Sequence, residues 1–99
     1  MSHKKFLHGL VLALATMPVL AQTTTAPPAG RLLASNCYQC HGTNGNGGFD
    51  SLAGKSASEM YNELKEMQQK TRPDMMDMHA RGYTDAQLRL IADYFSKQR

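Results

Sequence analysis

The chain has 99 residues, room for one small domain. It carries two cysteines and no tryptophan, which excludes a multi-disulfide scaffold and a zinc site built from cysteines alone. The formal charge of +3 and the pI of about 9.0 point towards a nucleic-acid binder. However, the basic residues are scattered and form no stripe, so nucleic-acid binding is discarded.

Met1–Ala21 has the layout of a secretory signal peptide. Lys4 and Lys5 form a basic start, Phe6–Leu20 is mainly apolar, and Val19-Leu20-Ala21 ends in a plausible cleavage site. As an uncleaved anchor the apolar stretch is short and interrupted by His8, Gly9 and Pro18, whereas a span needs roughly 20 residues. The expectation is export, cleavage after Ala21 and no stable membrane insertion. Removal of Lys4 and Lys5 leaves nine basic against eight acidic side chains, which calls for no polyanionic partner. A mature chain of this size rarely buries enough apolar area to be robust without a staple.

Residues 22–28 form a polar, Pro-containing lead-in to a domain over 29–99. Pro28 suits the first position of a short helix from about Ala29 to Cys37, with Leu32 and Leu33 apolar. Cys37–Gly48 is too glycine-dense for a regular element and reads as a loop. Ser56-Ala57-Ser58-Glu59 is a capping box opening a helix with Met60, Leu64 and Met67 on one face. Arg72-Pro73 closes that helix. Asp74–Gly82 is a Met-dense connector. Thr84-Asp85-Ala86-Gln87 is a second capping box, across which Tyr83 and Leu88 form a hydrophobic staple. The helix it opens, about Asp85–Lys97, aligns Leu88, Ile91, Ala92 and Phe95. No segment alternates with period two. The expectation is an all-α domain of three main helices whose long loops wrap something.

Cys37-Tyr38-Gln39-Cys40-His41 is a C-x-x-C-H sequence, the attachment signature of c-type haem. Two thiols at this spacing can form thioethers with vinyl groups on adjacent pyrroles, and the adjoining His41 imidazole can reach the iron. A thioredoxin-like pair would follow a strand in a βαβ unit, which is missing here. A zinc site would need more ligands than His41 and His79 supply. A structural disulfide would close only a four-residue loop and contribute little. One covalent haem c also answers the need for a staple, since apolar side chains can pack on its disc. The haem-free chain is then expected to be largely unfolded.

A second axial ligand favours electron transfer, and a thioether raises the potential by favouring Fe(II). Met75, Met76, Met78 and His79 are the candidates in the connector, whereas Met60 and Met67 sit at helical spacing and read as core. His79 reads as a surface histidine.

Cys37–His41, Gly42-Thr43-Asn44-Gly45, Leu52-Ala53-Gly54 and Gly82-Tyr83-Thr84-Asp85 with Leu88 and Ala92-Asp93-Tyr94-Phe95 resemble the class I c-type cytochromes. More narrowly, they resemble the monohaem cytochrome domains of the flavocytochrome c sulfide dehydrogenase type, from about Gly30 to Lys97. The resemblance implies crossing first and last helices, with Ala29 or Gly30 permitting close approach and Tyr94 and Phe95 packed on Leu32 and Leu33. It also places the axial role on Met76, followed by Ala80 and then the capping segment, with Met78 and then Met75 as runners-up. The chain departs from the pattern in having no proline between His41 and Arg72 whose carbonyl could accept from the proximal histidine. The acceptor for His41 therefore stays open.

The implied function is one-electron transfer in the periplasm, with cofactor contacts at Cys37, Cys40, His41 and Met76 and no catalytic residues. Partners would be redox proteins, a flavoprotein sulfide dehydrogenase subunit among them. The alternative is a haem c protein with an open distal site, acting in ligand sensing or peroxide chemistry. A thiol–disulfide protein is a third reading.

Overall fold

The computed structural model describes residues 9–21, 26 and 28–99. Lys4, Lys5 and most of the 22–28 lead-in lie outside the described residues. Residues 9–21 form no regular element and are exposed throughout. Among the described residues there is no strand, and no helix is long and apolar enough to cross a membrane.

Among the described residues five α-helical segments make the fold: α1 Ala29–Ala34, α2 Tyr38–His41, α3 Ala57–Gln69, α4 Met75–Arg81 and α5 Asp85–Ser96. Pro28 caps α1 rather than lying inside it, and its carbonyl accepts from Arg31 N–H at 2.9 Å. A tight 3₁₀ turn, Ser35–Cys37, joins α1 to α2, so the chain stays helical up to His41. Cys37–Gly48 is thus a loop only after the motif, and even there Thr43–Gly45 forms another 3₁₀ turn.

Ser56 caps α3 by accepting from Glu59 N–H, but the reciprocal half of the expected box is not made. The helix ends at Gln69, earlier than Pro73 requires, because Lys70 turns to extended backbone to meet α4. The Met-dense connector is itself a helix. Asp74 Oδ1 accepts from Asp77 N–H at 3.0 Å, and Asp77 Oδ2 accepts from Asp74 N–H at 2.8 Å, a complete capping box built from two aspartates. At α5 the Thr84–Gln87 box forms as read from the sequence, with bonds of 3.2 and 2.9 Å.

α1 crosses α5 at Gly30. A Cβ there would lie 2.2 Å from the Leu90 carbonyl oxygen and 2.8 Å from Tyr94 Cβ, so the two backbones meet where only glycine fits. Gly30 is buried and Ala29 is exposed, which settles which of the two permits the approach. The core contains Ala34, Met60, Ile91, Ala92, Tyr94 and Phe95, with Leu33 packed against it. Leu32 is 75% exposed and takes no part, contrary to the expected packing on Tyr94 and Phe95. A helix as short as α1 turns only one of two adjacent leucines inward. Phe95 is fully buried, edge-on to Tyr38 and Tyr94 with centroids 6.3 and 5.6 Å away.

α3 and α5 are also joined by a charged surface cluster. Asp85 accepts from the Tyr61 hydroxyl and pairs with Arg89 at 3.1 Å and Lys65 at 3.4 Å. Arg89 lies over the Tyr61 ring, 4.0 Å from its centroid. The Tyr61 hydrogen bond, helped by Arg89 and Lys65, holds the Asp85 carboxyl below its ordinary value of 3.8. A folded-state pKa below the unfolded one contributes stability above the unfolded value, and this fades as pH falls through the folded value. Asp85→Asn should therefore flatten the acid limb of a plot of melting temperature against pH. The gap between variant and parent should be widest near neutrality and shrink with acid. A gap that persists unchanged at the lowest pH would refute a role for the ionised cluster.

Candidate functional site

Cys37, at the end of the 3₁₀ turn, and Cys40 and His41, in α2, are brought together by a single helical run. Both cysteines are free, Cys37 half-buried and Cys40 exposed. Burial pushes the Cys37 thiol above its usual range.

The glycine-rich segment after the motif folds back over it. Phe49 N–H donates to the Cys40 carbonyl at 2.9 Å, and Gly48 has φ +69° with its Cα against the same carbonyl. A Cβ on Gly48 would sit 1.8 Å from that oxygen. This return delivers the Asp50 carbonyl oxygen to His41 Nδ1 at 2.7 Å. A carbonyl only accepts, so Nδ1 carries the proton and Nε2 of the neutral ring keeps its lone pair, the form a metal needs. Asp50 thus supplies the acceptor that the missing proline left open. The sequence gives no sign of it, because any residue type offers a carbonyl.

A tyrosine network fixes the motif from the other side. Tyr38 donates to the Tyr94 hydroxyl at 3.0 Å, and Tyr94 donates to Asn44 Oδ1 at 2.6 Å. Burial and the Tyr94 contact push the Tyr38 phenol up to about 12, so it remains a donor. Asn44 adopts a left-handed conformation at φ 57°, which asparagine tolerates. Neither Tyr38 nor Asn44 stands out in the sequence; their roles follow from the crossing that brings α5 to α2.

Beside the motif lies an apolar cleft between α2, α3, α4 and α5. Its deepest part is a cavity of about 210 Å³ reached by Leu52, Leu64, Met67, Ile91 and Phe95. Two neighbouring recesses extend it, one towards Ala80, Tyr83 and Leu88, the other towards Phe49 and Met75. His41 and Met76 are the two residues that line all three. Met76 is half-buried, whereas Met75 is 72% and Met78 is 55% exposed. Met75 borders only the outer recess, and Met78 opens onto a separate polar groove. Met60 joins the core as expected and also borders the cavity, whereas Met67 is only half-buried and faces the cleft. His79 is exposed and rims the cleft. Tyr83 and Leu88, read as a staple, both border the recess under Ala80.

These features fit a haem. Its apolar faces match walls of Leu, Ile, Met and Phe, and its attachment points match two free thiols on one helical run. Iron would find a bare imidazole nitrogen with its ring already anchored.

The family model described as "Cytochrome C oxidase, cbb3-type, subunit III" matches residues 24–95. The chain belongs to this family of c-type cytochrome domains. It is also 38% identical, over 69 residues, to the cytochrome subunit of sulfide dehydrogenase from Chlorobaculum tepidum. The match covers 67% of this chain and 63% of that relative's length. As a cytochrome it takes haem as its cofactor. The helical fold and the placement of the C-x-x-C-H motif on the cleft agree with that membership.

Proposed function

We propose that this cytochrome is an exported one-electron carrier with a single haem c. Cys37 and Cys40 would form the two thioethers, and His41, through Nε2, and Met76 would hold the iron. The bound haem supplies reversible one-electron chemistry at iron. The protein's own residues do the rest. Asp50 fixes the tautomer and direction of His41, while Leu64, Leu88 and Ile91 exclude water and lower the local polarity. The observation that carries this reading is the convergence of His41 and Met76 on every recess of one apolar cleft beside two free thiols.

The signal-peptide pattern of residues 1–21 supports a periplasmic location. The sulfide dehydrogenase relative supports a redox partner of that kind, such as a flavoprotein subunit. Contact would centre on the cleft mouth, where Phe49 is 90% exposed. Redox partners of this kind dock through small, transient interfaces.

Expression beside a cytochrome assembly apparatus should yield a red protein whose intact mass exceeds the peptide mass by one haem, with cleavage after Ala21. Its pyridine haemochrome should show two saturated vinyls. Bare peptide mass and no colour would refute the assignment. Chains blocked from haem attachment by Cys37→Ala and Cys40→Ala should lose most of their helical circular dichroism, because the described core is small and the cleft is left unfilled. Equal helicity with and without haem would show that the peptide folds alone.

A further inference from the structure

α4 has seven residues and buries few side chains, Asp77 and Ala80 fully and Met76 in half. Its other two methionines face solvent. So short a helix is marginal in water, and so little apolar area cannot fix its position. It is held by polar links to one place, the C-terminal end of α3. Gln68 Nε2 donates to the Ala80 carbonyl at 2.8 Å and to the Tyr83 carbonyl at 2.9 Å. Both partners are acceptors, so the amide NH₂ must be the end that faces them. One bond reaches the last turn of α4 and the other the turn just after it. Lys65 Nζ donates to Gln68 Oε1 at 3.2 Å and orients the amide. At the other end of α4, Lys70 Nζ lies 3.1 Å from Asp77 Oδ1, a carboxylate that is 1% exposed. Arg81 returns a hydrogen bond to the Lys70 carbonyl.

We propose that Gln68, seconded by the Lys70–Asp77 pair, is the positioning clamp that keeps Met76 in the cleft. The inference rests on the reading of Met76 as the distal ligand. It assigns control of that ligand to an amide on the neighbouring helix α3, outside the C-x-x-C-H motif. Met76 stays bound because α4 is tied to α3, and untying it opens the distal side while α1, α2 and α5 remain folded. A closed electron carrier and an open, ligand-binding haem protein then differ by one side chain.

The test uses the haem-loaded protein and three readings: the far-red charge-transfer band of ferric iron bound to thioether, carbon monoxide binding to the reduced form, and amide exchange in α4. The parent should show the band, resist carbon monoxide and protect α4. Gln68→Met keeps the bulk and removes the donors; Gln68→Glu keeps the shape and sets a carboxylate against two carbonyls. Either should lose at least half of the band, bind carbon monoxide at least tenfold more tightly, and speed α4 exchange at least tenfold with α5 unchanged. Lys70→Met should open the site less, and Lys70→Arg should restore closure. Lys97→Met, which breaks only the surface pair with Asp93, should change none of the three. Variants as closed and as protected as the parent would overturn the clamp. A parent that lacks the band and binds carbon monoxide freely would instead overturn Met76 ligation, while α4 exchange would still report on the clamp. Should Gln68→Met fail to take up haem, Lys70→Met decides by the same readings.

Discussion

In the haem-loaded, reduced protein, Met76→Ala should admit carbon monoxide and shift the visible spectrum, while Met75→Ala and Met78→Ala should leave it nearly unchanged. The three methionines differ only in their place on one helix. α4 turns Met76 into every recess that His41 lines, leaves Met75 at the outer edge and points Met78 to a separate groove. Thioether favours Fe(II), so its loss should also lower the reduction potential, on the order of 0.1 V given the range that axial ligands command. A Met76→Ala protein that stays closed to carbon monoxide, or a Met78→Ala protein that opens, would transfer the distal role elsewhere.

Gly30→Val should prevent the holoprotein from accumulating. Any Cβ at this position collides with the Leu90 carbonyl, which belongs to the backbone of α5 and cannot swing aside. Valine adds two methyl groups to that collision. The crossing must open, at a cost of about 3 kcal/mol or more, which is a large part of a small domain's stability. α1 runs straight into Cys37, so the displacement reaches the attachment site. Ala29→Val, one residue earlier on the exposed side, should change stability by no more than about 0.5 kcal/mol. Thermal melting and haem content of the two variants check this. Equal behaviour would mean that the crossing carries no weight.

Much of this was legible in the residues. Apolar spacing at Leu88, Ile91, Ala92 and Phe95 announced α5, and Thr84 with Gln87 announced its start. The helix at Met75–Arg81 escaped because it has almost no apolar stripe; only Asp74 and Asp77, three apart, mark its beginning. Leu32 and Leu33 were equivalent by composition, and the rotation of a six-residue helix separated them. Met67 was spaced as core yet faces the cleft, since a helix beside a cofactor cavity shows the same periodicity as one beside other helices.

The chain by itself determined the all-α class, the thiol pair and the imidazole next to it, because these depend on local spacing along a few residues. Tertiary structure decided which methionine lines every recess that His41 lines, which carbonyl fixes His41 Nδ1, and that Gln68 ties α4 to α3. Two of those relations run through backbone carbonyls that every residue possesses, and the third depends on how α4 packs. No side-chain pattern can announce them; they exist only once the loop after the motif has folded back and α4 has packed on α3.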